Sequence, residues 1–488
     1  MLHKFPGGLI LAGNKQPSCD LEILPAIIPD RLIFPLIQHV GTAAEPVIQI
    51  GDQVLKGQLI AKPTSYVSCP IHASSSGTVV DIGPRFSANE TVQSIVIKTD
   101  GQDRWQEKMQ PMDYITSTAE DLELRITDAG IIGMGGAGFP SHVKVIEGSD
   151  KSVKTLIING VECEPYITCD DRLMRERTQE IISGTKILQK ITGTKTCFIA
   201  VEEDMPEAYE ALLEAAEDDQ NIVKVPAIYP AGGEKQLILT LTGKRVPSHG
   251  LPIHTGVLVQ NVATVAAIHR AVVKGEPLIS RVVTVAGSEV RSQNCEVLNG
   301  TPVYELLESF QDEIKKNQEV IFGGSMMGKL ITSDQAPILK KTSCVLVQTE
   351  QIKEQETACI RCGDCIDVCP EQLQPQMLFS LSKNSDLDAL KENRLFDCIE
   401  CGCCDLVCPS HIPLVENYQK AKAAINNNEE ENKRAKKSRL RYQQRNERID
   451  RIKEAKDEKK KVSSSLKKEN IQDEISAAIK RAKAKRKN

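Results

Sequence analysis

The sequence contains the run Cys359-Ile-Arg-Cys362-Gly-Asp-Cys365-Ile-Asp-Val-Cys369-Pro370 and repeats it as Cys398-Ile-Glu-Cys401-Gly-Cys-Cys404-Asp-Leu-Val-Cys408-Pro409. Three closely spaced thiols followed by a fourth before proline are typical of ferredoxin-type proteins with two cubane iron–sulfur clusters. Structural zinc sites use four ligands, commonly in C-x2-C pairs, and fit repeated triplets poorly. The two runs therefore predict two [4Fe–4S] clusters and a role in electron transfer.

The spacing also predicts which cysteines share a cluster, because in such double runs the fourth cysteine of each run ligates the other cluster. The predicted ligands of the first cluster are Cys359, Cys362, Cys365 and Cys408. The predicted ligands of the second cluster are Cys398, Cys401, Cys404 and Cys369. Cys403 lies outside this spacing, and we interpret it as a bystander.

Length and composition limit the possible classes of protein. A chain of 488 residues is expected to hold roughly three or more domains. The chain has sixteen cysteines, and half of them stand at the predicted ligand positions of the two runs, which does not resemble an extracellular disulfide framework. We find no signal peptide and no apolar run long enough for a membrane span, so we expect a soluble or peripheral protein. The aromatic content of 4% disfavours base stacking, and we expect no nucleic-acid partner.

The charge of the chain is unevenly distributed. From Lys420 onward there are 24 Lys and Arg against 11 Asp and Glu, from totals of 61 and 66. Few apolar residues occur there, although Ile471, Ile475 and Ile479 recur at helical spacing. We predict that residues 416–488 form a charged tail, helical or disordered, that could contact anionic lipid or an acidic partner protein.

Four further regions are predicted, giving a multidomain α/β and α+β protein. Residues 1–117 are β-rich and resemble the hammerhead fold of biotinyl and lipoyl carrier domains, a barrel-sandwich hybrid. The carrier lysine of those domains is missing, because Thr64-Ser-Tyr-Val-Ser-Cys69 stands in its place. Residues 118–272 alternate helical and strand patterns and predict an α/β domain with a partly parallel sheet. Residues 273–348 form a smaller unit, and 349–415 hold the two cysteine runs.

Two motifs in the α/β region are candidates for binding a ligand. The glycine-rich segment 133–144 could form a nest of backbone N–H groups for a phosphate, or it could be an ordinary turn. Glu162 and Glu164 follow the apolar strand 155–159, at the edge where open α/β sheets usually bind ligands. The same two carboxylates could instead cap the helix that starts near Asp170.

Taken together, these motifs resemble those of a known family. Segments 133–144, 159–165, 233–234 and 261–264 are similar, in the same order, to the flavin and NADH site of the flavoprotein subunit of respiratory complex I. Combined with two cysteine runs and a carrier-like N-terminus, they make the chain resemble the C subunits of Rnf electron-transport complexes, called Rsx in some bacteria. The resemblance implies a Rossmann-like FMN/NADH domain and, at 273–348, a soluble ligand-binding β-grasp domain.

The resemblance also implies roles for individual residues in binding noncovalent FMN and NADH. Glycines would line the phosphates and the flavin, Lys144 would pair with the flavin phosphate or ring edge, and Phe139 would stack on the adenine. Asn159 and Asn261 would hydrogen-bond the flavin, and other residues would shape the nucleotide pocket. The complete implied set is Gly133, Gly135, Gly136, Gly138, Phe139, Lys144, Asn159, Glu162, Glu164, Tyr229, Gly233, Glu234, Asn261 and Thr264. Val161 and Lys235 depart from the complex I pattern, which has acidic residues there.

The implied function is an NADH-linked oxidoreductase subunit of the ferredoxin:NAD type, peripheral on the cytoplasmic face of the bacterial inner membrane. Its implied partners are membrane subunits and an iron–sulfur subunit of the same complex, which link electron transfer to ion movement. Hydride transfer needs no protein acid or base, so we assign no catalytic residue. Two alternatives stay open: a flavin-free electron relay or scaffold, and an NADH-linked module of a soluble hydrogenase or formate dehydrogenase.

Overall fold

The computed structural model of the chain describes residues 2–150, 153–248, 250–288, 290–310, 318–349 and 354–485, without the side chain of Asp150. The chain divides into two units, Met1–Tyr418 and Gln419–Asn488. The predicted divisions within the first unit stay predictions.

Two antiparallel sheets around one apolar core form the N-terminal region. The elements are α1 (Gln16–Cys19), β1 (Arg31–Pro35), β2 (Glu45–Pro46), β3 (Gln53–Val54), β4 (Leu59–Lys62), β5 (Ile71–His72), β6 (Gly77–Ser87) and β7 (Glu90–Thr99). β7 pairs with β1 and β6, β6 also pairs with β3, and β4 pairs with β2 and β5. Phe34, Ile60 and Ile95 are fully buried between these strands.

A four-stranded parallel sheet with helices forms the next region, which confirms the predicted α/β architecture. Its elements are α2 (Ala119–Asp128), α3 (Ser141–Asp150), β8 (Thr155–Gly160), α4 (Cys169–Glu176), α5 (Thr178–Thr192), β9 (Thr196–Glu202), α6 (Pro206–Ala215), β10 (Gln220–Val225), α7 (Glu234–Thr242), a 3-10 turn (Pro252–Thr255), β11 (Val257–Asn261) and α8 (Val262–Val273). The strand order is β10-β9-β8-β11, and every neighbouring pair is parallel. Strands β8 and β9 are buried nearly throughout, as expected when helices cover a parallel sheet.

A third sheet is mixed and has five strands. The elements are β12 (Ser280–Gly287), β13 (Gln293–Leu298), α9 (Val303–Leu307), β14 (Gln318–Phe322), β15 (Lys329–Leu330) and β16 (Cys344–Thr349). The strand order is β13-β12-β16-β14-β15; β12 and β16 are parallel, and the other neighbours are antiparallel. The assignment of this region as a β-grasp domain stays a prediction.

The cysteine runs fold as a structural repeat. Each run contains a short helix, α10 (Asp364–Asp367) and α13 (Cys403–Leu406), which begins 39 residues further on in the second run. The left-handed residues recur at the same interval, as the pairs Arg361 and Glu400, Gly363 and Gly402, and Gln372 and His411. Between the runs lie α11 (Pro375–Lys383), α12 (Leu387–Glu392) and a 3-10 turn (Leu395–Asp397). The same spacing of residues thus produces the same backbone path twice.

The second unit is helical wherever the structure describes it. It belongs to α14 (Leu414–Lys485), and its isoleucines Ile471, Ile475 and Ile479 are each about half exposed. Of the two states predicted for the tail, the structure therefore has the helix. None of the described helices combines the length and the apolar character that crossing a membrane requires.

A close helix contact in the parallel-sheet region yields a stability prediction. A Cβ atom on Gly184 in α5 would lie 2.2 Å from the Val265 carbonyl oxygen of α8. Gly184→Ala must therefore push the two helices apart, and we expect it to cost about 1–3 kcal/mol, measured as a lower Tm by calorimetry.

Gly148→Ala is the matched control. Gly148 is also helical, but a Cβ atom there would meet its nearest neighbour at an ordinary 3.4 Å. Since Ala is favoured over Gly in helices by about 1 kcal/mol, this variant is expected to keep or raise the Tm. An unchanged Tm for Gly184→Ala would contradict the close packing of α5 on α8.

Candidate functional site

The glycine loop, residues 133–140, joins α2 to α3 and is open at Gly136. A bridge between Ile132 and Pro140 closes its base, with the Gly133 N–H donating to the Phe139 carbonyl at 2.7 Å. Gly136 adopts a φ of 109°, and an added Cβ atom there would meet nothing within 4 Å. The loop thus leaves room for a ligand to approach its backbone, as a phosphate-binding loop requires. No strand precedes the loop, because α2 does, so it differs from the dinucleotide fingerprint.

Two asparagines lie side by side at the carboxyl edge of the parallel sheet. Asn159 of β8 is in register with Asn261 of β11. The Asn261 Oδ1 atom caps α8 by accepting the Ala263 N–H at 2.9 Å, and its Nδ2 donates to Asp170 Oδ2 at 2.6 Å. The Asn159 Nδ2 donates to the Gly232 carbonyl at 2.9 Å. Both amides are therefore held in fixed orientations at the edge where a ligand is expected.

Thr264 ties the glycine loop to this edge. Its hydroxyl, on the first turn of α8, accepts the Met134 N–H at 2.9 Å. A Cβ atom on Gly135 would lie 3.2 Å from the Asn261 Cβ, so the loop passes directly beside the asparagine. The predicted glycine, Asn261 and Thr264 residues are thereby brought to one place.

Glu162 is buried, and main-chain N–H groups occupy its carboxylate. The carboxylate accepts the Asp170 and Asp171 N–H groups at 2.9 and 3.2 Å, at the start of α4. Burial and the neighbouring Asp170 carboxylate raise the pKa of Glu162. The helix-capping alternative is thus realised for Glu162, and its role toward a nucleotide stays a prediction.

Glu164 holds a glycine-rich loop of the third sheet. Its Oε1 accepts the Met326 and Met327 N–H groups at 3.1 and 2.5 Å. Burial raises the pKa of the Glu164 carboxyl. Met326 in turn packs beside the second cysteine run, because its carbonyl oxygen would lie 3.1 Å from a Cβ atom on Gly402. Glu164 therefore connects the sheet edge to a loop that contacts the cysteine region.

Lys144 and Glu234 form an ion pair near the glycine loop. The Lys144 Nζ lies 2.8 Å from Glu234 Oε1, and each side chain is about one third exposed. Glu234 is the first residue of α7, and Gly233 is its N-cap. Lys144, predicted to contact the flavin, and Glu234, predicted to shape the nucleotide pocket, are thus accessible and face each other.

Tyr229 lies between the parallel-sheet region and the second cysteine run. Its hydroxyl donates to the Cys401 carbonyl at 2.6 Å. Its main-chain N–H donates to the Leu9 carbonyl, and its carbonyl accepts the Leu9 N–H, both at 2.8 Å. The side chain is buried, so its predicted place in a nucleotide pocket stays a prediction. The contact with Cys401 has no signature in the sequence near Tyr229.

Further polar contacts join the same two regions. The Gln236 Nε2 donates to Glu371 Oε1 at 2.7 Å, and the Ser248 hydroxyl donates to Asp397 Oδ1 at 2.9 Å. Lys235 lies 4.0 Å from Asp397, so this departure from the complex I pattern faces the cysteine region. The segment between the two cysteine runs therefore packs on the α/β region.

The structure gathers the four cysteines predicted for the second cluster. They line one cavity, together with apolar residues that include Leu378 and Tyr418; the four are Cys369, Cys398, Cys401 and Cys404. Four thiols around one cavity are the donor set of a [4Fe–4S] cluster, so these residues fit that group. In the first run, Cys365 is buried, whereas Cys359 and Cys362 are exposed. The full ligand assignment stays a prediction.

One basic residue near the glycine loop was not found from the sequence. The Lys341 Cδ atom would lie 3.1 Å from a Cβ atom on Gly138. Lys341 precedes β16 of the third sheet, far along the chain from the glycine loop, and no local pattern marks it. An ammonium group beside such a loop is suited to an anionic ligand.

Three family models match parts of the chain. They are the RnfC barrel sandwich hybrid domain over residues 3–102, the Nuo51 FMN-binding domain over 126–270, and a 4Fe-4S dicluster domain over 358–412. These matches confirm the barrel-sandwich N-terminus, the flavin-type domain and the ferredoxin-type domain. Fold and site together define a multidomain protein that combines a domain of the FMN-binding type with a domain of the 4Fe-4S dicluster type.

Curated relatives match nearly the whole chain. The C subunit of the ion-translocating oxidoreductase complex of Pseudomonas aeruginosa is 45% identical over 461 residues, which cover 93% of this chain and 60% of the relative. The C subunit of the same complex in Serratia proteamaculans is 41% identical over 490 residues, covering 99% of this chain and 69% of the relative. The chain thus spans about three fifths to two thirds of the length of these relatives. It belongs to the family formed by the C subunits of ion-translocating oxidoreductase complexes.

A solved structure shows a more distant likeness. The NAD+-reducing [NiFe]-hydrogenase in its H2-reduced state matches with a TM-score of 0.45 and 18% identity, covering 64% of this chain and 63% of that one. A likeness at this level supports no inference about function.

The cysteine cavity yields a prediction for cluster content. We expect Cys404→Ala and Cys369→Ala each to lose the same cluster, and therefore about half of the bound iron, because both residues line one cavity. Iron and sulfide analysis after anaerobic purification, with EPR spectra of the reduced protein, measures the loss. Cys295→Ala, at a buried cysteine of β13, is the control and keeps the iron of the wild type. Spectra showing that the two variants lose different clusters would refute the assignment.

Proposed function

We propose that the chain is a peripheral subunit of a membrane-bound, ion-translocating electron-transport complex. It exchanges electrons between NADH and FMN and passes them through two [4Fe–4S] clusters to partner subunits. Those partners, among them membrane subunits and an iron–sulfur subunit, link the transfer to ion movement at the cytoplasmic face of the membrane.

One contact carries this proposal. The hydrogen bond of 2.6 Å from Tyr229 to the Cys401 carbonyl joins the candidate flavin domain directly to the second cysteine run. A flavin that receives electrons from NADH can pass them on only if it lies close to the iron–sulfur clusters. The contact therefore supports a continuous route within one chain.

The residues at the sheet edge would hold FMN and position the nicotinamide nucleotide. The open backbone at Gly136, with Lys144 and Lys341 as cations, suits the phosphate, and Asn159 and Asn261 offer fixed amides. When bound, the flavin converts two-electron hydride chemistry into single-electron steps. The protein contributes orientation and charge, and no side chain needs to transfer a proton.

The tail is assigned a membrane-proximal role in this proposal. From Lys420 onward the sequence has 24 basic and 11 acidic residues, and this excess of positive charge suits anionic lipid headgroups or an acidic partner protein. Only electrostatic contact is proposed, since the apolar residues of the helix are sparse.

A flavin-free electron relay remains the second candidate, and one observation favours it. The carboxylates of Glu162 and Glu164 already accept hydrogen bonds from main-chain N–H groups, and the Lys144 ammonium is already paired with the Glu234 carboxylate. Several of the predicted nucleotide contacts are thus satisfied within the protein. A relay would bind two clusters and no FMN.

Anaerobic purification followed by NADH titration distinguishes the two candidates. We expect one FMN and two four-iron clusters per chain, and NADH should bleach the flavin band and then the cluster bands. NADPH is the comparison substrate, and we expect it to act more weakly. Protein that contains both clusters but no FMN, and that does not respond to NADH, would replace the proposal with the relay.

Tyr229→Phe tests the connection between the two regions. The variant should keep its FMN and iron, and NADH should reduce the flavin normally, whereas reduction of the clusters slows severalfold in stopped-flow traces. Loss of the buried hydrogen bond is also expected to cost about 1–3 kcal/mol of stability.

Tyr209→Phe is the control for this variant, because the Tyr209 ring packs against the Lys224 ammonium on the α/β region. It should leave both phases of the reaction unchanged. Equal rates of cluster reduction in Tyr229→Phe and in the wild type would show that electron transfer does not depend on this contact.

A further inference from the structure

The two runs contain nine cysteines, and Cys403 is the one that the cluster spacing does not use as a ligand. It is the first residue of α13, directly after the left-handed Gly402. Asp364 occupies the corresponding place in the first run, as the first residue of α10 after the left-handed Gly363. The two repeats thus share a backbone but differ at this position, with a thiol in one and a carboxylate in the other.

The surroundings of Cys403 place its thiol inside the second cluster site. The side chain is fully buried and lines the same cavity as the four predicted ligands. It packs in one apolar cluster with Cys401 and Tyr229. A fifth sulfur therefore stands beside one ligand of this site.

A four-iron cluster needs four thiolate ligands, so a fifth thiol can keep its proton and donate it to a neighbouring sulfur. Hydrogen bonds to cluster sulfurs are among the factors that set reduction potential. Such a bond stabilises the extra negative charge of the reduced cluster, and the potential rises as a result. Burial strengthens the effect, because solvent cannot compete for the ligand sulfur.

We propose that Cys403 donates an S–H hydrogen bond to the Cys401 sulfur and thereby raises the reduction potential of the cluster at Cys369, Cys398, Cys401 and Cys404, without ligating it. The inference rests on the iron–sulfur part of the proposed function. It makes Cys403 a positioning residue and gives the two cluster sites different potentials, since Asp364 supplies no thiol to the first.

The test is an EPR-monitored redox titration of the full-length protein, purified anaerobically. Cys403→Ala should keep the iron and sulfide content of the wild type and should shift the midpoint potential of one cluster to a lower value. Cys403→Ser restores a donor and should return the potential toward that of the wild type. Asp364→Ala is the matched control in the other repeat and should leave this cluster unshifted.

Two results would overturn the inference. If Cys403→Ala loses iron, the thiol is a ligand and not a donor. If both midpoint potentials of Cys403→Ala equal those of the wild type, the hydrogen bond does not tune the cluster. Wild-type protein without two clusters would instead refute the iron–sulfur part of the proposed function itself, so the two failures are distinguishable.

Discussion

Parallel pairing of β8 with β11 is the constraint on which the candidate site depends. It places Asn159 beside Asn261 at one sheet edge, and both strands end at that edge. The segment after β8 carries Glu162 and Glu164, and the helix after β11 carries Thr264, which holds the glycine loop. One register thus gathers segments that are far apart in sequence, because parallel strands end together.

Two buried cations hold the neighbouring regions against this edge. The Lys340 Nζ donates to the Pro70 and Gly130 carbonyls at 2.9 and 2.8 Å, and Arg281 donates to the Lys340 carbonyl at 3.0 Å. Burial lowers the pKa of Lys340 to about 8. Because a buried charge is costly unless hydrogen-bonded, these cations hold the barrel, the end of α2 and the third sheet in one arrangement.

Local patterns predicted the parts of the structure whose cause is local. The cysteine spacing reproduces one backbone path twice, and the apolar segment 155–159 became β8, with Glu162 and Glu164 just beyond its end. Contacts of Tyr229 and Lys341 were not predicted, since they depend on how separate sheets pack. Neither residue lies in a periodic pattern that identifies its distant neighbour.

The two predicted cluster sites differ in how far their cysteines are buried, and within the proposed function this difference suggests which site exchanges electrons with the flavin domain. The second site has Cys401 and Cys404 buried, and Tyr229 and Met326 cover it from the α/β region and the third sheet. The first site leaves Cys359 and Cys362 exposed. Electron transfer is fastest over short distances, so the covered site suits exchange with the flavin domain and the exposed site suits exchange with another protein of the complex. A hydrogen bond from Cys403 would then act on the cluster nearest the inlet, where the potential determines how readily electrons leave the flavin.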